Sequence, residues 1–168
     1  MPRPVVQLGD PVLKTPCRPV EPGEIAGGPF QSLVRAMFET LAEAGGVGLA
    51  APQIGESVRL ILAGSFPTGS APERPAVPTR VLINPRVVST SDETEADWEG
   101  CLSFLQFRVR VRRHRAVTVE YLDAEGCVET LSAEGFYARV LQHEIDHLDG
   151  VLTLDRAETP DDVRDAPR

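Results

Sequence analysis

The sequence predicts an α+β fold in which mixed or antiparallel strands surround a central helix. Alternating or β-branched runs dominate the middle of the chain, as in "FRVRVRR" and "RAVTVEYLD". Further on, a long helical pattern carries two histidines. Its apolar residues fall on more than one side, as in a helix buried within a domain.

The elements follow in order. "DPVLKTPCRPVEPGE" is Pro-rich and reads as irregular chain, with at most a helical turn from Pro11 to Lys14. Residues 30–44 place Phe30, Leu33, Val34, Met37, Phe38 and Leu41 on one helical face, stopped by Gly45 and Gly46. "VRLILAG" (58–64) reads as a buried strand, and 65–79 as a surface loop, the segment expected to move most. "RVLINPRVVS" (80–89) is broken by Pro85, which suggests a sheet edge or a bend. "FRVRVRR", "RAVTVEYLD" and "CVETLSA" follow as strands, the last two joined by the hairpin turn "DAEG". The second long helix is expected from about Ala133 to Leu148.

The chain of 168 residues suits one catalytic domain, expected over 1–157, with a short polar tail at 158–168 that reads as frayed. A net charge of −8 argues against a general nucleic-acid or anionic-membrane partner. The Arg-rich run 108–115 reads as an alternating strand with an exposed basic edge rather than an RNA contact. No apolar run approaches membrane-spanning length, and the start lacks the apolar region of a secretory signal. Three cysteines are too few and too uneven for a disulfide framework, so a reducing compartment, the cytoplasm, is expected.

The chemistry concentrates in "VLQHEIDHLDG" (140–150). Residues four apart share a helix face, so His143 and His147 can hold one ion, with Phe136 and Val140 continuing that face as an apolar wall. Glu144 lies one residue round, able to reach a water at the metal without ligating it. A third ligand is needed. Thr153 stands where a metzincin-type protease would have histidine, and Glu158 lies in a tail that cannot supply the second helix of a thermolysin-type site. Upstream, Cys101 in "DWEGCLSF" is the best placed, since a thiolate suits zinc or iron; taken alone, it reads first as a buried free cysteine. "GGVGLAAPQIG" (45–55) follows a helix and precedes a strand, the wrong order for a dinucleotide site. It reads instead as a loop of close backbone approach presenting Gln53, an amide able to donate to an oxyanion.

Together "GVGLAAPQIG" (46–55), "EGCLS" (99–103) and "QHEIDHLDG" (142–150), in this order, resemble the three signature motifs of the peptide deformylases. The resemblance implies the compact α+β deformylase fold and removal of formate from N-formylmethionyl chains. It implies Cys101, His143 and His147 as metal ligands with water in the fourth position, and Glu144 as the group that takes up and returns the proton. Gln53 and the Leu102 N–H would hold the oxyanion. Val47, Gly48 and Gly100 match positions along the substrate chain, and Phe136 and Val140 are candidates for the methionine pocket. Fe²⁺ is the implied metal in the cell, with Zn²⁺, Ni²⁺ or Co²⁺ as substitutes, although ligand identity alone favours zinc. Glu99 and Arg113 are expected to pair behind Cys101; Asp146 either orients a ligand histidine or is solvated.

The chain departs from the family where "CLSFLQFRVRV" lacks the usual Pro-Gly after "CLS", and at Arg112 in place of a common proline. Both bear on the loop beside the substrate's second and third residues. The alternatives are a deformylase-like paralogue with altered substrate, a non-catalytic metal-stabilised binding role, or a broader metallopeptidase. Nothing in the tail supports docking to the ribosome.

Overall fold

The computed structural model describes residues 1–69 and 71–167; Ser70, within the expected surface loop, and the last residue of the tail lie outside the described residues. In chain order the elements are α1 (Pro22–Ile25), α2 (Gly28–Ala44), β1 (Gly48–Ala50), β2 (Leu60–Ser65), β3 (Val77–Thr90), β4 (Thr94–Cys101), β5 (Phe104–His114), β6 (Ala116–Leu122), β7 (Val128–Glu134), α3 (Gly135–Leu148) and β8 (Val163–Asp165). The strands form two antiparallel sheets, ordered β1-β2-β3-β6-β7 and β4-β5-β8.

Side-chain alternation on the first sheet explains why β2 reads as continuously apolar. Leu60 and Leu62 pack with Phe30, Leu33, Met37 and Leu41 of α2 on one face, whereas Ile61 and Ala63 pack with Ala138, Leu141 and Ile145 of α3 on the other. Both faces are covered, so every position of β2 is buried. Phe38, counted with the apolar face of α2, is instead 39% exposed. The second sheet buries Cys101, Phe104, Val109 and Val111 in a cluster with Leu154, Ala157 and Val163, and meets α3 where Cys101 lies against His147 and Arg139 donates to the Val111 carbonyl. Among the described residues no helix is long and apolar enough to cross a membrane.

Pro85 marks a bend, not an edge. β3 lies between β2 and β6, and its register slips between Ile83 and Arg86, where Asn84 adopts φ 50°. The Asn84 side chain secures this bulge by accepting from the Val20 N–H and donating to the Val20 carbonyl, both at 2.8 Å. The helix expected from about Ala133 begins at Gly135, because Ala133 and Glu134 still pair with Val117 and Ala116. The polar tail does not fray: Val163–Asp165 pair with Phe107–Val109 of β5, and the Arg164 guanidinium lies 3.8 Å over the Trp98 ring.

Candidate metal centre

Helix α3 fixes half of the site. His143 and His147 lie one turn apart on it, with ring centroids 5.0 Å apart. The other half comes from the end of β4. Pairing with β5 carries that strand under the helix, and a register shift between Glu99 and Cys101 turns the thiol toward the imidazoles. The Cys101 Sγ lies 3.4 Å from His147 Nε2, and ligand atoms of Cys101, His143 and His147 all fall within 4.8 Å of one another. Metal–sulfur and metal–nitrogen bonds of about 2.0–2.3 Å place ligand atoms on a shared ion roughly 3–4 Å apart. One thiolate and two imidazoles in this spacing therefore fit a divalent transition metal, and the three ligands leave a fourth position for water or substrate.

Behind the ligands stands a buried charged network. His143 Nδ1 lies 3.2 Å from Glu99 Oε1, which leaves its Nε2 for the centre. Arg113 donates to both oxygens of Glu99, at 3.1–3.3 Å, and to Asp146 at 2.5 Å. The expected Glu99–Arg113 pair is present. Asp146 touches neither imidazole; it binds Arg113 and Arg156, so its link to the ligands runs through Arg113 and Glu99. Without metal, burial lowers the His143 pKa, but hydrogen bonds to Cys101 and Glu99 outweigh it and hold the group well above the usual imidazole range. Burial, with His143 and Arg113 nearby, pushes His147 well below that range. One imidazole thus offers a free lone pair, and the other shares a proton that metal binding must release.

Glu144 is buried beside the ligands, and its Oε2 has no hydrogen-bond partner among the described residues. Burial raises its pKa; against the partly offsetting influence of His143, the result is about 7. A carboxyl poised there can accept and return a proton near neutral pH. Gly48 makes room for it, since a Cβ at that position would overlap the Glu144 carboxylate. Gln53 is oriented from both ends. Its Oε1 accepts from the Ala50 N–H at 2.9 Å, which aims Nε2 at Cys101 Sγ (3.5 Å) and Ser103 Oγ (3.2 Å).

Gly48, Gln53, Cys101, His143 and Glu144 face a cleft of about 380 Å³, lined also by Val47, Gly100, Leu102, Phe136 and Val140, with His147 behind Cys101. The structure thus brings every site residue expected from the sequence to one place. It adds four that sequence reasoning passed over. Ser103 is fully buried and accepts from Gln53; Trp98 and Arg108 line the cleft, the latter lying across Gly100; and Arg74 reaches in from the loop before β3. The parity of Ser103 with Cys101 was a usable signal. Arg74 lies too far along the chain from every motif to carry one.

The polypeptide deformylase family model matches residues 2–163. Peptide deformylase 2 of Nostoc sp. is 42% identical over 156 residues, covering 93% of this chain and 86% of that protein. Peptide deformylase 1 of Bordetella pertussis is 44% identical over 148 residues, covering 88% and 83%. Among solved structures, the Met-Ala-Ser-bound class I type b peptide deformylase from Acinetobacter baumannii superposes with a TM-score of 0.90 at 37% identity, covering 93% of this chain and 98% of that one. A motif-bearing helix, a thiol brought to it by a strand end, and this likeness along nearly the whole chain lead to one conclusion: the chain belongs to the peptide deformylase family.

Proposed function

We infer that this chain is a metal-dependent hydrolase that removes the formyl group from N-formylmethionyl N-termini of nascent polypeptides, releasing formate. The observation that carries this reading is the unpartnered, buried Glu144 carboxylate beside the Cys101–His143–His147 cluster, in a cleft bordered by two sheet edges. β1 is the edge of one sheet and β4 the edge of the other, and both contribute to the cleft. A linear peptide can lie between them as an added strand, pairing its backbone along Val47–Gly48 and Gly100.

The family works with a divalent metal, and the donor set supports one here; when bound, the metal supplies Lewis acidity and makes water nucleophilic at neutral pH. Cys101, His143 and His147 would hold it, with Glu99 and Arg113 fixing the orientation of His143. The first side chain lies along α3 over Val140 toward Phe136, which sets the formyl group at the centre. Gln53 Nε2 and the Leu102 N–H donate to the formyl oxygen as charge develops there. A water attacking the formyl carbon gives its proton to Glu144. As the C–N bond breaks, Glu144 returns the proton to the departing amine, leaving formate and a free N-terminus.

Fe²⁺ is the metal we propose for the cell, with Zn²⁺, Ni²⁺ or Co²⁺ able to substitute; thiolate and imidazole ligands suit all four. The proposed setting is cytoplasmic N-terminal processing during protein synthesis, by one catalytic domain that takes in residues 1–157 and, through β8, the tail. Neither nucleic acid nor membrane is proposed as a partner, and no feature supports ribosome docking. Convergence of Gln53, Glu144 and all three ligands favours catalysis over a retained binding fold. Formate release from formyl-Met-Ala-Ser, compared with acetyl-Met-Ala-Ser and with an internal peptide bond, tests the reading. Release from the formyl peptide alone is expected; cleavage of the internal bond would replace the reading with a peptidase.

A further inference from the structure

A second cleft, of about 600 Å³, adjoins the first and shares Arg74, Asp97 and Phe136 with it. The Arg74 guanidinium lies 3.9 Å over the centre of the Phe136 ring, so this stacked pair forms part of the partition between the clefts. The loop holds Arg74 in place with its own backbone: Thr68 and Ala71 bond reciprocally at 3.1–3.2 Å, and the Arg74 N–H donates to the Ala71 carbonyl. Helix α3 gives the scale. At about 1.5 Å per residue, Val140 lies roughly 4.5 Å and Phe136 roughly 10 Å from His143 along the axis. A side chain running from the centre over Val140 therefore ends at Phe136 and the cation stacked on it.

We propose that Arg74 is a specificity-determining residue that closes the far end of the pocket for the substrate's first side chain; this rests on the deformylase reading. The pair sets a length and bulk limit, and the guanidinium repels a cationic side chain at the pocket's end. The space behind it is acidic. Glu73, Asp97 and Glu134 line the second cleft, and Arg115 there is already engaged by Glu93 at 3.2 Å. Removal of Arg74 joins the clefts and adds the carboxylates of Glu73 and Glu134 to that of Asp97, which lines both, with the guanidinium gone from between them.

The test is kcat/KM on formyl-Met-, formyl-Phe- and formyl-Lys-Ala-Ser, with binding of the three unformylated tripeptides measured calorimetrically, for wild type, Arg74→Ala and Arg74→Lys. Arg74→Ala should lose about tenfold or more of the preference for Met over Phe and Lys, in turnover and in binding. Arg74→Lys, which keeps the charge, should still exclude the lysyl peptide. Unchanged ratios in Arg74→Ala, or a wild type that binds the three tripeptides equally, would overturn the proposal. Binding ratios judge Arg74 even if wild type releases no formate, an outcome that would remove the deformylase reading itself.

Discussion

Arg113→Ala takes from behind the metal ligands the guanidinium that bridges Glu99 and Asp146. Arg113 is 5% exposed and holds Glu99 (6%) and Asp146 (9%). Removing one partner of a buried ion pair costs about 3–5 kcal/mol, because the remaining charge stays out of water unpaired. Here the lower figure applies: Asp146 keeps Arg156 at 2.6 Å, and Glu99 keeps the more distant Arg139 at 3.6 Å. A loss of about 3 kcal/mol lowers Tm by roughly 6–12 °C in a chain of this size. Glu99 also accepts the His143 contact, so its displacement should weaken metal affinity by about 10–100-fold. Calorimetry and a metal-competition titration on one preparation measure both. The double variant Arg113→Met with Glu99→Gln, which removes both charges of the pair and retains an acceptor for His143, should regain part of the stability, with Arg139 losing its Glu99 contact but keeping its bonds to the Val111 and Glu95 carbonyls. A single variant within about 2 °C of wild type with unchanged metal affinity would refute the account of the network.

Gly48→Ala drives a methyl group into the Glu144 carboxylate and should lower kcat by at least about tenfold with metal content intact, as metal analysis beside formate release would reveal. For the metal-free chain, burial raises the Glu144 pKa to about 7 from an ordinary 4.5, so the folded state holds the proton more tightly than the unfolded state. The contribution to stability is present below 4.5 and is lost as pH rises through 7. Denaturation of wild type against Glu144→Gln should show their stability gap shifting by about 3 kcal/mol between pH 4 and pH 8, and a pH-independent gap would contradict the assignment. Deleting the tail from residue 160 onward removes β8 and the Arg164–Trp98 stack at the rim of the cleft; KM for the formyl peptide should rise with kcat little changed, whereas a frayed tail would leave both untouched.

What could be read in the sequence followed its periodicity. The three-four spacing of Phe30, Leu33 and Met37 placed α2, and the parity of Val109, Val111 and Arg113 puts Arg113 on the inward side with two valines. The residue identities of the centre were legible because HExxH needs only helical geometry, while Cys101 required the motif resemblance to be chosen. β4 was not legible. "TEADWEGC" is rich in residues that strands disfavour, and it forms because β5 pairs with it from Thr94↔His114 to Cys101↔Phe104. β8 escaped for the same reason, since the order of a three-residue polar strand comes from its partner. Arg74 was beyond reach because its neighbour Phe136 lies far away in sequence, and a loop of Pro, Gly and Ser carries no period.

The central claim is that the Cys101–His143–His147 centre and Glu144 act as separate parts, one holding metal and one moving the proton. Metal stoichiometry and formate release, measured together on wild type, Cys101→Ala and Glu144→Gln prepared with Fe²⁺ under anaerobic conditions, test it most directly. The account predicts one metal and rapid release for wild type, one metal without release for Glu144→Gln, and neither for Cys101→Ala. Formate release at the wild-type rate by Glu144→Gln, or by metal-free Cys101→Ala, would contradict it.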